Sequence, residues 1–355
     1  MYEVTEEIEL FKTEYILDKY APEDVLVFDI ETTGFSPAST MLYMIGCAYI
    51  RDGKAYLKQW FVDEAADEKL TIIKFLSFMK EFKAIVHYNG NGFDIPYIIK
   101  RSAILGISCD LSTAASIDIY KYLSPLKKLF KTVNMKQKSI EAFMGIGRDD
   151  EMDGGKLIKV YENFLKNPDA EGKRLLLLHN HDDVIGLSRL LPVLNYCQIT
   201  DRNYIYKSAE VIDNDYVITY DLEYPIPVKA SLGDERFYYT VYNKTLKTSS
   251  KMFTGELRFF FNDHKNYYYL PAEDRAVHKS VASFVDKGHR FRAKPSNCYM
   301  RKEGTYIPQY DKLCAPFFSF NYNDPVTYFE ISDAFTGNTD LITKYAENII
   351  RHQNA

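Results

Sequence analysis

Cysteine is scarce in this sequence, and the few residues present stay apart. Cys47, Cys109, Cys197, Cys298 and Cys314 are odd in number, widely scattered and never set in a CxxC pair. A disulfide framework and a thiolate zinc site are therefore excluded as expectations, and a reducing, cytoplasmic setting is expected. Long apolar runs are missing too: no stretch approaches the roughly 18 residues that suggest a membrane span. The first residues, MYEVTEEIEL, are acidic and lead into no apolar segment, so no secretory signal is expected. Internal repeats and low-complexity tracts are not found. An overall basic surplus is also lacking, since the net charge is −5 over 355 residues, which argues against wholesale coating of nucleic acid.

What is present is distributed unevenly. Residues 229–312 carry sixteen Lys and Arg against nine Asp and Glu, a local +7 that leaves −12 for the remainder. Such asymmetry suits a polyanion partner for the basic segment, although a solvated basic surface has the same composition. The length is generous for one domain and comfortable for two.

The pattern of apolar residues predicts a short amphipathic helix over 3–20, ending before Ala21-Pro22, and then a buried strand, VLVFDIE, over 25–31. MLYMIGCAYI and KAYLKQWFV flank Arg51-Asp52-Gly53, an Asp-Gly turn between apolar runs and so a hairpin. Residues 67–82 have helical spacing, AIVHYN (84–89) is a strand, a helix follows from about Asp94 to Leu105, and SIDIY (116–120) is a strand end. A long helix is expected from Asp169, as N-cap, to Leu191, where Pro192 stops it. A meander followed by β–α–β units implies an α/β domain with a mixed sheet flanked by helices. Beyond about residue 200, short strands rich in Tyr and Phe dominate, with one helix expected near 272–286, giving a second, α+β domain.

Three stretches put acids on apolar elements. FDIETTG (28–34) places Asp29 and Glu31 at the end of the first predicted buried strand, two apart and so on one face. Acids there are costly unless a cation is near, and hard cations such as Mg2+ and Mn2+ take carboxylate oxygens. A solvated strand end is the simpler reading of this pair alone. NGNGFDIPY (89–97) follows a strand with a tight turn, and Asp94 falls in the first turn of a helix, where the dipole stabilises a carboxylate. In LLLLHNHDDVIGL (175–187), Asp183 shares a helical stripe with Leu176, Leu187 and Leu190, and His179 lies one turn before it. Asp182 falls beside Leu175, Leu178 and Arg189, where solvent or a basic neighbour can take it, so Asp183 is the acid expected to face the sheet.

FDIETTG, NGNGFDIPY and HNHDDV, in that order, resemble the three motifs of the DEDD superfamily of 3′–5′ exonucleases, which have the RNase H-like fold. KSIEAFMGIGRDDEMDGGKLI (138–158) is similar to the YprB-like predicted-exonuclease branch. The resemblance covers about residues 24–197. It implies that Asp29, Glu31, Asp94 and Asp183 hold two divalent cations, Mg2+ or Mn2+. Two such metals clamp the attacking and leaving oxygens at phosphorus and acidify a water, which a general base deprotonates. In the family that base precedes the last aspartate, as a tyrosine with three residues between or a histidine with four. This sequence departs from both: His179 is a histidine at the tyrosine spacing, and Leu178 stands where the histidine branch has its base. Imidazole is a competent base near neutral pH; a hydrogen-bonded helix residue is the plainer role for His179.

The expected organisation is a helical extension over 1–23, an RNase H-like exonuclease domain over 24–198 and an α+β accessory domain over 199–355. The expected activity is 3′–5′ hydrolysis of single-stranded nucleic acid, with DNA ahead of RNA. A structure-selective nuclease of the same chemistry is one alternative, and an RNase H-like nucleic-acid-binding protein that has lost catalytic rate is another. Thr32, Thr33, Asn89, Asn91 and Phe93, within the motifs, are expected at the substrate. Lys128 and Lys131, in the lysine-rich stretch 123–139, are expected to contact phosphates, with a solvated loop as the equal alternative. In the second domain KGHRFRAK (287–294) interleaves Arg290 and Arg292 with Phe291, a mixture that suits single strands. No membrane partner is expected.

Overall fold

The hairpin turning at Asp52 and Gly53, both at positive φ, forms the middle of a six-stranded mixed sheet. In the computed structural model, which describes residues 1–148 and 154–355, the chain divides into two units. The first comprises Met1–Asp201 with Tyr224–Val228, and the second Arg202–Glu223 with Lys229–Ala355. Strands of the first unit are β1 (Tyr2–Ile8), β2 (Val25–Thr32), β3 (Leu42–Arg51), β4 (Lys54–Phe61), β5 (Ala84–His87) and β6 (Ala115–Asp118). Their order is β1-β4-β3-β2-β5-β6; β2, β5 and β6 run parallel and the other pairs antiparallel. The helices are α1 (Glu68–Met79), α2 (Asp94–Ile104), α3 (Ile119–Leu123), α4 (Lys127–Phe130), α5 (Gln137–Met144), α6 (Gly154–Lys166), α7 (Ala170–Leu190) and α8 (Cys197–Thr200).

Strand alternation sorts the sheet into two faces. Leu26, Phe28 and Ile30 of β2 join Ile72, Phe75 and Met79 of α1 and Tyr97 and Ile98 of α2 in one core. On the other face Tyr43, Met44 and Phe61 pack with Leu157, Tyr161 and Phe164 of α6 and Leu176 of α7. Asp169 caps α7 as its spacing predicts, accepting from the Gly172 amide at 2.7 Å, which satisfies a donor the helix start leaves open.

Two expected helices are corrected. Residues 1–23 are not a helical extension: Tyr2–Ile8 is an edge strand paired with β4 from Tyr2↔Phe61 to Ile8↔Ala55. Its glutamates meet lysines across that edge, Glu3 with Lys58 at 2.6 Å and Glu7 with Lys54 at 2.8 Å. The helix expected near 272–286 shrinks to one turn, because cross-strand pairing claims Arg275–His278. The 138–158 stretch, which carries part of the family resemblance, includes 149–153, which lie outside the described residues.

The second unit is built from β7 (Tyr204–Ile212), β8 (Asp215–Gly233), β9 (Phe237–Lys251), β10 (Phe253–Phe260), β11 (Tyr267–Leu270), β12 (Arg275–His278), β13 (Phe291–Arg292), β14 (Tyr299–Gln309) and β15 (Thr327–Glu330). Its helices are α9 (Lys279–Ala282), α10 (Asp333–Thr336) and α11 (Thr339–Asn354). The strands form three antiparallel sheets of three, β7-β8-β9, β10-β14-β15 and β12-β11-β13. Among the described residues no helix is long and apolar enough to cross a membrane.

Candidate active site

Asp29 and Glu31 lie at the C-terminal end of β2, on the face that α7 covers, because they alternate with Phe28 and Ile30 of the opposite core. Beside Glu31 the ladder slips: Glu31 pairs with Met44 and Thr32 with Leu42, leaving Tyr43 bulged between them. A bulge turns two successive side chains to one face, so Tyr43 and Met44 enter the same core. The Tyr43 hydroxyl thereby donates to Glu31 Oε2 at 3.4 Å.

Asp94 arrives from the parallel neighbour. After β5 the chain turns through Asn89, in the left-handed region at φ 59°. The Asp118 carboxylate holds this turn by accepting the Asn89 amide at 2.8 Å and the Asn91 amide at 3.1 Å. Buried His87 adds to the hold: its Nδ1 accepts from the Gly90 amide at 3.1 Å and its Nε2 lies 2.8 Å from Ser116 Oγ. Burial pushes the His87 imidazole down to about 4, consistent with a neutral ring whose Nδ1 accepts. Asp94 opens α2, six per cent exposed, with its carboxylate near the backbone of Ile30, the residue between the two β2 acids.

The third element is α7. His179 Nε2 stands 3.3 Å from Asp183 Oδ2 and 3.7 Å from Glu31 Oε1. Asn180, fully buried, donates to Asp29 Oδ2 at 3.5 Å and accepts from Gln59 Nε2 at 3.0 Å. It fits because Gly46, opposite Asp29 on β3, has no Cβ; one there would sit 2.1 Å from the Asn180 oxygen. The expected relation of the two aspartates is altered: Asp182 is the more buried, with its side chain 7% exposed against 18% for Asp183. Strand β1, where a helix was expected, covers that flank. His181 bridges Asp182 at 3.0 Å and Glu6 at 3.2 Å, while Asp183 looks toward the acids.

A clamp on Asp183 went unread in the sequence. Arg148 donates to the Asp183 and Glu141 carboxylates, with a further bond from Nη2 to Glu141 Oε1 at 2.8 Å. Gln137 Nε2 donates to Glu141 Oε1 and to the Asp183 carbonyl, each at 2.8 Å. Glu141 reaches α7 over Gly186, where a Cβ would meet its Oε1 at 2.3 Å. Charge pairing stabilises a buried carboxylate that would otherwise be costly.

Electrostatically the cluster calls for a cation. Burial, then the carboxylates of Asp94, Asp183 and Glu31, hold Asp29 well above the usual range. Burial and Asp183 do the same to Glu31, and burial pushes Asp94 up to about 7. Ligand atoms of Glu31, His179 and Asp183 lie within 4.8 Å of one another. An oxygen-rich, crowded and partly desolvated donor set of this kind fits a hard divalent cation, whose charge would relieve the repulsion that raises these groups.

Other expected contacts are sorted by the fold. Thr32 Oγ1 donates to the Gly34 carbonyl at 3.0 Å and Thr33 Oγ1 accepts the Met41 amide at 3.0 Å, so both hydroxyls are engaged in the loop after β2. Phe93 packs edge-on against Phe35, ring centroids 5.9 Å apart, and Phe35 is 89% exposed. Lys128 and Lys131 are exposed on and just after α4; the lysine whose charge is felt at Glu31 is Lys138 of α5. An open cleft of about 440 Å³ runs past Tyr88, Asn89, Tyr120 and Lys136. Arg290 and Arg292 belong to the second unit.

Residues 26–195 match the RNase_H superfamily. A Bacillus subtilis protein, "Uncharacterized protein YprB", is 26% identical over 176 residues, which is 48% of this chain and 42% of that one. A Thermococcus litoralis DNA polymerase is 32% identical over 115 residues, 27% of this chain and 7% of the polymerase. The chain thus spans less than half the length of these curated relatives. A family B DNA polymerase structure from Pyrobaculum calidifontis aligns over 70% of this chain and 36% of its own, at 18% identity and a TM-score of 0.38.

Proposed function

Taking residues 26–195 as an RNase H-superfamily domain, we propose that this chain is a metal-dependent 3′–5′ exonuclease acting on single-stranded nucleic acid. The observation that carries the proposal is convergence. Acids from β2, the start of α2 and α7 meet on one side of the sheet, with one imidazole nitrogen 3.3 and 3.7 Å from two of them. Asp29, Glu31, Asp94 and Asp183 would hold two divalent cations, Mg2+ or Mn2+, which supply when bound an acidified water and neutralisation of charge at phosphorus.

The chain's own residues do the rest. His179 Nε2, facing Asp183 and Glu31, takes the proton of the attacking water. Asn180, itself held by Gln59, fixes the rotamer of Asp29. Arg148 and Gln137 fix Asp183 from the other side. Phe35, with Phe93 behind it, offers a ring to an unstacked terminal base, and Lys138 a charge to a phosphate. Asn89 and Asn91 lie on the turn that Asp118 shapes, next to Asp94, and complete the substrate side of the site.

The direction of hydrolysis is tested with matched single strands of DNA and RNA, each carrying either a free 3′ end or a 3′ end blocked by an inverted nucleotide. Stepwise shortening of the free-ended strand, with the blocked strand resistant, is the expected result. Equal cleavage of both, or cleavage of a circular strand, would assign the site to an endonuclease instead.

A further inference from the structure

The second unit carries a small sheet whose two faces differ sharply. One side contributes Ala276, Ala293 and Cys298 to a buried cluster with Phe261 and Tyr267. Tyr268 alternates to the other side, opposite Val277 on β12 and Arg292 on β13. Two guanidiniums flank its ring: that of Arg292 is 4.7 Å from the centroid and that of Arg290 5.3 Å. Arg290 also donates to the Ala282 carbonyl, and Arg292 to the Lys265 carbonyl at 3.3 Å. Each arginine is thus held near the ring by a backbone acceptor.

The same segment also leaves two large rings in water. Phe284, just past α9, is 92% exposed, and Phe291, between the arginines in sequence and opposite Tyr269 on the other side of β13 from Arg292, is 56% exposed. Neither ring is part of the module's buried cluster. The segment 264–294 has seven Lys and Arg against three Asp and Glu, plus three histidines, inside a chain of net −5.

We propose that the β12-β11-β13 module, through Tyr268, Arg290 and Arg292 on one face and the exposed rings of Phe291 on its edge strand β13 and Phe284 just past α9, binds single-stranded nucleic acid independently of the acid cluster. Planar cations and exposed rings answer the two features that a single strand offers together, phosphates and unstacked bases. An acidic peptide has the charge without the planar faces, and a duplex hides its bases. The inference rests on the nuclease reading only for the choice of polyanion.

The test uses the full chain in EDTA, so that hydrolysis plays no part, and follows the fluorescence anisotropy of a 5′-labelled oligothymidylate over a range of salt. Phe284→Ala and Phe291→Ala are each expected to weaken binding about tenfold. Arg290→Ala with Arg292→Ala should lower the slope of log affinity against log salt by about 1.4, two phosphate contacts at about 0.7 each. All four side chains lie at or near the surface, and Phe284→Ala, the most exposed, keeps the test valid should another variant melt early. Unchanged affinity in the Phe284 and Phe291 variants would overturn the proposal. So would binding to phosphatidylserine vesicles with none to the oligonucleotide. Hydrolysis that fails while this binding persists would refute the nuclease reading alone; hydrolysis with binding unaffected by these variants would refute this inference alone.

Discussion

Asp94 links protonation, folding and metal. Burial raises its carboxyl to about 7 from an ordinary 3.8, so between those values the folded chain binds this proton more tightly than the unfolded one. Stability from that proton is complete below about pH 4 and is lost as pH rises to 7. In EDTA, Asp94→Asn should therefore match the wild type at pH 5 more closely than at pH 7.5, where it should melt a few degrees higher. Mn2+ at pH 7.5 should raise the wild-type Tm and leave the variant nearly unmoved. A gap that narrows with rising pH would refute the assignment. His179 makes a separate prediction: His179→Gln should lower kcat by roughly 10²–10⁴ with Mn2+ affinity by calorimetry retained. Loss of metal affinity would make the imidazole a ligand instead. The acids and this histidine stand out in the sequence by type and spacing, and the fold brings Glu31, His179 and Asp183 together. Arg148 does not stand out, because its guanidinium reaches Asp183 from 35 positions away in sequence, and nothing local marks a long-range ion pair.

At the scale of elements, two glycines mark where side chains from elsewhere come close. Gly46 interrupts an apolar strand and makes room for Asn180; Gly186 interrupts a helix and makes room for Glu141. A glycine inside a strand or a helix is locally unfavourable and signals close approach, so the sequence did hold a cue for both positioning groups. It could not name the partners. Gly186→Ala should push Glu141, and with it Arg148, off Asp183. The expected cost is about 1–3 kcal/mol of stability by denaturant titration, with a fall in hydrolysis that Mn2+ in excess only partly restores. Unchanged stability and rate would show the clamp to be dispensable. The hairpin and α7 were readable because turn chemistry and capping are local. Strand β1 was misread because its acids find their lysines only through pairing with β4.

For the whole molecule, a change of texture near residue 200 suggests a boundary, but the first compact unit also takes in Tyr224–Val228. Gln198 and Tyr224 exchange two hydrogen bonds, at 2.9 and 3.0 Å, and Asn195 donates to the Pro225 carbonyl at 3.0 Å. Gln198 and Asn195 are fully buried, so a fragment ending at 201 strands buried amides at a cost of about 1–3 kcal/mol each. It should melt several degrees below a fragment ending at 230; equal melting would place the boundary where the sequence texture does. The account as a whole stands on metal-dependent hydrolysis at the acid cluster. Its most direct test follows a 5′-labelled single strand after EDTA-treated protein is supplied with Mg2+ or Mn2+, beside Asp29→Asn and Asp183→Asn. A ladder that appears only with metal, and is lost by at least about a thousandfold in both variants, is the predicted result. A ladder that persists in EDTA or in either variant would contradict it.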